Sequence, residues 1–145
     1  MNIEKEIVQL KYQIKLLKFM VNEDDFPFFM YALDHDFEES QVNALLKVLS
    51  AFKYRLNKAK DNTYGNSFHE SIKEDESLKL LLKTYQIEVH DIYKNALPNI
   101  AEFRDYLNSI FADKEINSKH LLMSLKKQSI HKNLCEDLLN QLEEL

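Results

Sequence analysis

The sequence predicts an all-α fold, a multi-helical bundle of about six to eight helices, from three observations. Glycine occurs once and proline twice in 145 residues, whereas β-rich folds need frequent turn residues. Apolar residues make up 45% and charged residues 30%, the balance of a chain that buries a core. Apolar positions recur at three- and four-residue spacings through most of the chain. The length suits a single domain spanning residues 1–145.

The first element has the clearest pattern. Ile3, Ile7, Leu10, Ile14, Leu17 and Val21 form a heptad seam of about three heptads. Taking Ile7, Ile14 and Val21 as a positions places β-branched residues at a and mostly leucine at d, the preference of parallel two-stranded coiled coils. Glu6 then falls at g and Lys11 at the next e, where a parallel partner would pair them. A second stripe, Val8, Tyr12, Leu16, Phe19 and Met20, runs beside the seam and widens the apolar face. Two readings stand side by side: an intermolecular zipper, or the central helix of an intramolecular bundle.

Asn22 to Asp25 ends this helix, with Asp24 or Asp25 placed to cap the next, and Pro27 suits a first helical turn. Phe26, Phe29, Met30 and Leu33 mark a short helix ending near His35. Its aromatic density exceeds what one buried stripe needs, so Phe26 and Phe29 are assigned to the core and Phe28 and Tyr31 to an interface. Asp36 with Glu39 reads as a capping-box start for a third helix, whose stripe runs from Val42 through Leu56 to about Lys58.

Lys60 to Asn66 holds the glycine and reads as a loop; Ser67-Phe-His-Glu70 opens a short capped helix. The stripe from Leu78 through Leu82, Tyr85, Val89, Ile92 and Ala96 describes one long helix stopped by Pro98. Ile100 to Phe111 marks the next, Leu121, Leu122 and Leu125 a short one starting near Asn117, and Ile130, Leu134, Leu138 and Leu142 the last.

The chemistry that the sequence excludes is broad. One glycine leaves no phosphate-cradling loop, and His35, His69, His90, His120 and His131 show no metal-ligand spacing. Cys135 stands alone, so no internal disulfide forms, and it reads as a small apolar group. No cofactor, no metal and no catalytic residues are expected, although His35, His90 or Cys135 would be the starting points for an enzyme. No apolar run reaches the roughly 20 residues of a membrane span, and Glu4, Lys5 and Glu6 occupy the place of a secretory signal's apolar stretch, so the expected location is cytoplasmic. Net charge is −5, which disfavours nucleic acid. The exception is the basic cluster Lys53, Arg55, Lys58 and Lys60 with Tyr54 and Tyr64, which supports an alternative reading as a regulatory nucleic-acid-associated protein.

The run Leu10-Lys-Tyr-Gln-Ile-Lys-Leu-Leu17, followed by Asp25-Phe-Pro-Phe-Phe29 and Leu33, resembles the YhaI-like family of small uncharacterised proteins from Bacillus and relatives. Ser67-Phe-His-Glu70 and the stretch Leu121 to Leu142 look similar to that family as well. Residues 78–111 depart from it and look like an inserted helical pair. The resemblance implies an all-helical bundle that self-associates, and no activity. The expectation is therefore a non-enzymatic homo-oligomer acting through protein–protein contact, as an adaptor or inhibitor of a bacterial or phage partner.

Overall fold

A computed structural model describes residues 2–22, 24–59 and 75–145, with the backbone of Lys60. Among the described residues the chain is all-helical, with eight helices: α1 (Ile3–Met20), α2 (Pro27–Asp34), α3 (Glu39–Lys60), α4 (Glu76–Lys83), α5 (Val89–Ile92), α6 (Ile100–Ile110), α7 (Ser118–Lys127) and α8 (Lys132–Glu143). The expected loop at Gly65 and the helix start at Ser67 lie outside the described residues.

The 22-residue α3 is the central element, because its apolar stripe faces inward along most of its length. Leu45, Val48, Leu49 and Phe52 are fully or almost fully buried, and α4, α5, α6 and α8 all pack on it. α7 and α8 form a tightly packed hairpin, and α2 lies on α7. One apolar core runs through these elements from Phe28 to Leu138, with Cys135 inside it. Burial pushes the Cys135 thiol up to about 12, so it remains a neutral packing group.

Residues 78–96 do not form the single long helix that their spacing suggests. α4 stops at Lys83, Gln86 takes a left-handed conformation (φ 61°), and the Ile87 amide donates to the Leu82 carbonyl at 3.0 Å. In an unbroken helix Ile87 would sit about 140° from Leu82, off the core stripe. The turn lets Leu82, Ile87, Val89 and Ile92 all be buried.

The same device closes two other helices. Asp36 (φ 56°) ends α2 with Phe37 donating to Ala32, and Ser129 (φ 61°) ends α7 with Ile130 donating to Leu125, both at 2.9 Å. Each left-handed residue is followed by an apolar side chain that packs on the core, which is the Schellman arrangement. Asp36 is thus the end of α2 and not the cap of α3.

Three glutamines take over capping roles that the sequence assigns to acidic residues, or add to local caps. The Gln128 side-chain oxygen accepts from the amides of Phe28 (2.8 Å) and Phe29 (3.1 Å), so α2 starts without help from Asp24 or Asp25. The Gln41 oxygen accepts from the Glu38 amide at 2.9 Å, while its amide nitrogen donates to the Ile110 carbonyl. The Gln141 oxygen accepts from Ile100 at 2.9 Å, beside the local cap that Asn99 gives Glu102. Each bond satisfies an amide that a helix start leaves without a partner.

Candidate interaction surface

α1 is well made as a helix and poorly buried as a structural element. The Asn2 side chain caps it through the Lys5 amide, Glu4 and Glu6 lie in its first turn and Lys18 in its last, the charge order that its dipole favours. Yet none of its residues is buried, and it makes no substantial packing contact with another described helix. A polar tether joins it to α2, the Lys18 ammonium on the Asp34 carboxylate at 2.6 Å. A surface pair of this kind contributes about 0–1 kcal/mol.

The predicted seam residues Ile3, Ile7, Leu10, Ile14, Leu17 and Val21 are all exposed, so the intramolecular-core reading of this helix does not hold among the described residues. Val21 falls just outside α1, with extended backbone, which leaves Ile3 to Leu17 as the helical seam. The second stripe is exposed too, with Phe19 at 76% and Met20 at 73%. At 3.6 residues per turn this stripe points about 170° from the seam, so the two rows occupy opposite faces and do not run side by side. Glu4, Lys11, Lys15 and Lys18 separate them along one edge, and Glu6, Gln9 and Gln13 along the other.

On α2 the assignment of aromatics reverses. Phe28 is fully buried, whereas Phe26 is 48% and Phe29 55% exposed. The Gln128 clamp on the Phe28 amide and the packing of α2 on α7 turn Phe28 inward. Phe26 and Phe29 stack in near-parallel fashion on the outside, ring centres 6.2 Å apart, with Leu33 exposed one turn on. Tyr31 is half-buried, stacked on His35 at 3.9 Å and edge-on to Phe37, so it is largely committed to the fold. Residues at i, i+3 and i+7 mark the exposed row in the sequence, but only the position of α7 decides which row faces out.

The basic cluster loses its centre. Arg55 is 3% exposed and uses all five of its N–H donors. Nε donates to Ala96, Nη1 to Ile92 and Nη2 to Leu97, all at carbonyls, and the two terminal nitrogens grip Glu102 at 2.7 and 2.9 Å. The guanidinium also lies 5.0 Å above the Phe52 ring. Lys58 leans on Tyr54, while Tyr64 and the Lys60 side chain lie outside the described residues. His35, His90 and Cys135 are not gathered into one site: among the described residues no group of three His, Cys, Asp or Glu side chains could hold a metal ion. No described helix is long and apolar enough to cross a membrane.

These features define a small all-helical protein whose described surface carries an unburied, doubly apolar N-terminal helix beside an exposed aromatic row. The chain belongs to the DUF1878 family, described as proteins of unknown function, whose model matches residues 1–92. That match takes in α1 to α5 and stops before α6. No curated protein and no solved structure matches the chain.

Proposed function

We propose that this protein is not an enzyme and acts through protein–protein contact, assembling with itself through the Ile3 to Leu17 seam of α1. The observation that carries this reading is that α1, a capped helix of 18 residues, buries none of them. Isolated helices of this length are marginal in water, so an apolar one calls for a packing partner. The β-branched a positions and leucine-rich d positions favour a parallel pair. The resemblance of residues 10–17 and 25–29 to YhaI-like proteins supports the same reading. An assembled form of this kind suits an adaptor or inhibitor of a bacterial or phage partner.

Light scattering across a dilution series tests it, run on the wild type and on Ile14→Asp. Wild type is expected to be oligomeric and the variant monomeric, since a carboxylate in a buried seam costs several kcal/mol. A wild-type monomer at every concentration, or an Ile14→Asp variant of unchanged mass, refutes the seam as an interface.

A further inference from the structure

The grip of Arg55 on three carbonyls holds the α5–α6 connection against the C-terminal half of α3, and a cleft of about 210 Å³ lies between them. Its floor is made by Tyr54 and Tyr93, both buried, whose rings meet edge to face at 5.8 Å. Lys58, Lys94 and Asn95 stand around it. Among the described residues the lining holds three cations, Arg55, Lys58 and Lys94, and no carboxylate, in a chain of net charge −5. Glu102 answers the charge of Arg55, at 2.7 and 2.9 Å, but the two ammoniums are left largely unanswered. Lys58 forms no ion pair among the described residues and only leans on the Tyr54 ring, 6.0 Å from its centre. Lys94 reaches Glu102 at 3.7 Å, a carboxylate that Arg55 already holds more closely. The dipole at the end of α3 accounts for Lys58 alone, because Lys94 comes from a different segment.

We propose that this cleft binds the phosphate group of a small phosphate monoester, with Lys58 and Lys94 as its two cationic ligands. At neutral pH such a group carries about −1.5 to −2 charges, which two ammoniums balance, whereas a carboxylate balances only one. Lysine meets phosphate as a point charge and needs no planar fork, so two long side chains from separate segments can close on one group. The tyrosine floor keeps water from one side of the contact, which strengthens each charge pair beyond its worth on an open surface. At about 210 Å³ the cleft is smaller than the roughly 300–1,000 Å³ of pockets that enclose a drug-sized ligand. It therefore takes the phosphate and little of what the phosphate is attached to. The cleft shares no residue with the α1 seam, so this reading stands apart from self-association.

Titrating the nitrogen-15-labelled protein with phenyl phosphate, with phenol at matched ionic strength as control, tests the proposal through amide NMR shifts. Saturable shifts are expected at Tyr93 to Leu97 and around Lys58, and none with phenol. Inorganic phosphate is expected to shift the same amides, since the phosphate is the recognised group. Lys58→Gln and Lys94→Gln are each expected to weaken binding by about tenfold or more, the loss of one charge-assisted contact. Lys53→Gln, on the same helix but outside the cleft, should leave it within about twofold. Circular dichroism verifies that each variant keeps the helical content of the wild type, and Arg55 still holds Glu102 in all of them. The absence of saturable shifts with both phosphates would overturn the site, as would undiminished binding in both cleft variants. A single-stranded oligonucleotide that binds while phenyl phosphate does not, and that Lys53→Gln weakens as much as Lys58→Gln, would also overturn it, in favour of an open nucleic-acid surface.

Discussion

The side-chain oxygen of Gln128 accepts hydrogen bonds from the amides of Phe28, 100 residues earlier, and of its neighbour Phe29. Two helix-start amides thus find their partner on the far end of α7, which ties the start of α2 to the helix it packs on. Gln128→Ala leaves both amides without that acceptor beside a buried Phe28. The expected loss is about 1–3 kcal/mol, read as a lower urea midpoint with unchanged slope.

Arg55 is the most heavily committed polar side chain among the described residues. Arg55→Met removes three carbonyl contacts at the α5–α6 connection and takes from the almost buried Glu102 its closest cation, leaving it the Lys94 ammonium at 3.7 Å. Breaking such a pair costs about 3–5 kcal/mol, against about 5–15 kcal/mol for a whole domain. Glu102→Gln keeps the carbonyl contacts and is expected to cost less. Lys53→Ala, on the exposed side of the same helix, should leave the midpoint within about 0.5 kcal/mol of wild type.

Much of the architecture is legible in the pattern of apolar residues, because α3, α6, α7 and α8 bury the stripes that their spacing marks. The break after Lys83 is not, since glycine is the usual sign of a left-handed helix end and Gln86 stands in its place. Phe28 and Phe29 are neighbours in sequence, and only the packing of α2 on α7 decides which of them is buried. Arg55 resembles its basic neighbours until α6 brings Glu102 to it. The exposed seam could be read, but not whether another part of the chain would cover it.

Gln86 offers a direct stability test. A residue with a Cβ in the left-handed region carries strain that glycine avoids, partly offset by glycine's greater freedom in the unfolded chain. Gln86→Gly is expected to raise stability by up to about 1 kcal/mol, and Gln86→Val to lower it, seen as opposite shifts in thermal midpoint.

His131 predicts a loss of stability in acid. Its ring is half-buried, Nδ1 has no hydrogen-bond partner, and its backbone is left-handed (φ 49°) at the start of α8. Burial, and then the Lys53 charge, hold its pKa below the usual histidine value. The unfolded chain therefore takes up a proton that the folded one refuses, so stability is intact above the unfolded pKa near 6.5 and falls as the pH drops toward the folded value. His131→Asn, which tolerates the left-handed backbone, should flatten the dependence of the urea midpoint between about pH 7 and 5.

Because α1 leans on almost nothing among the described residues of its own chain, pairing through the proposed seam would place its folding under mass action. Under that proposal dilution would remove the packing surface and leave an 18-residue helix to its local propensities, so backbone order in this segment would become a function of protein concentration while the core stays folded. Amide hydrogen exchange would show two populations: slow in α3 and α7 at any concentration, and fast in α1 once the sample is dilute.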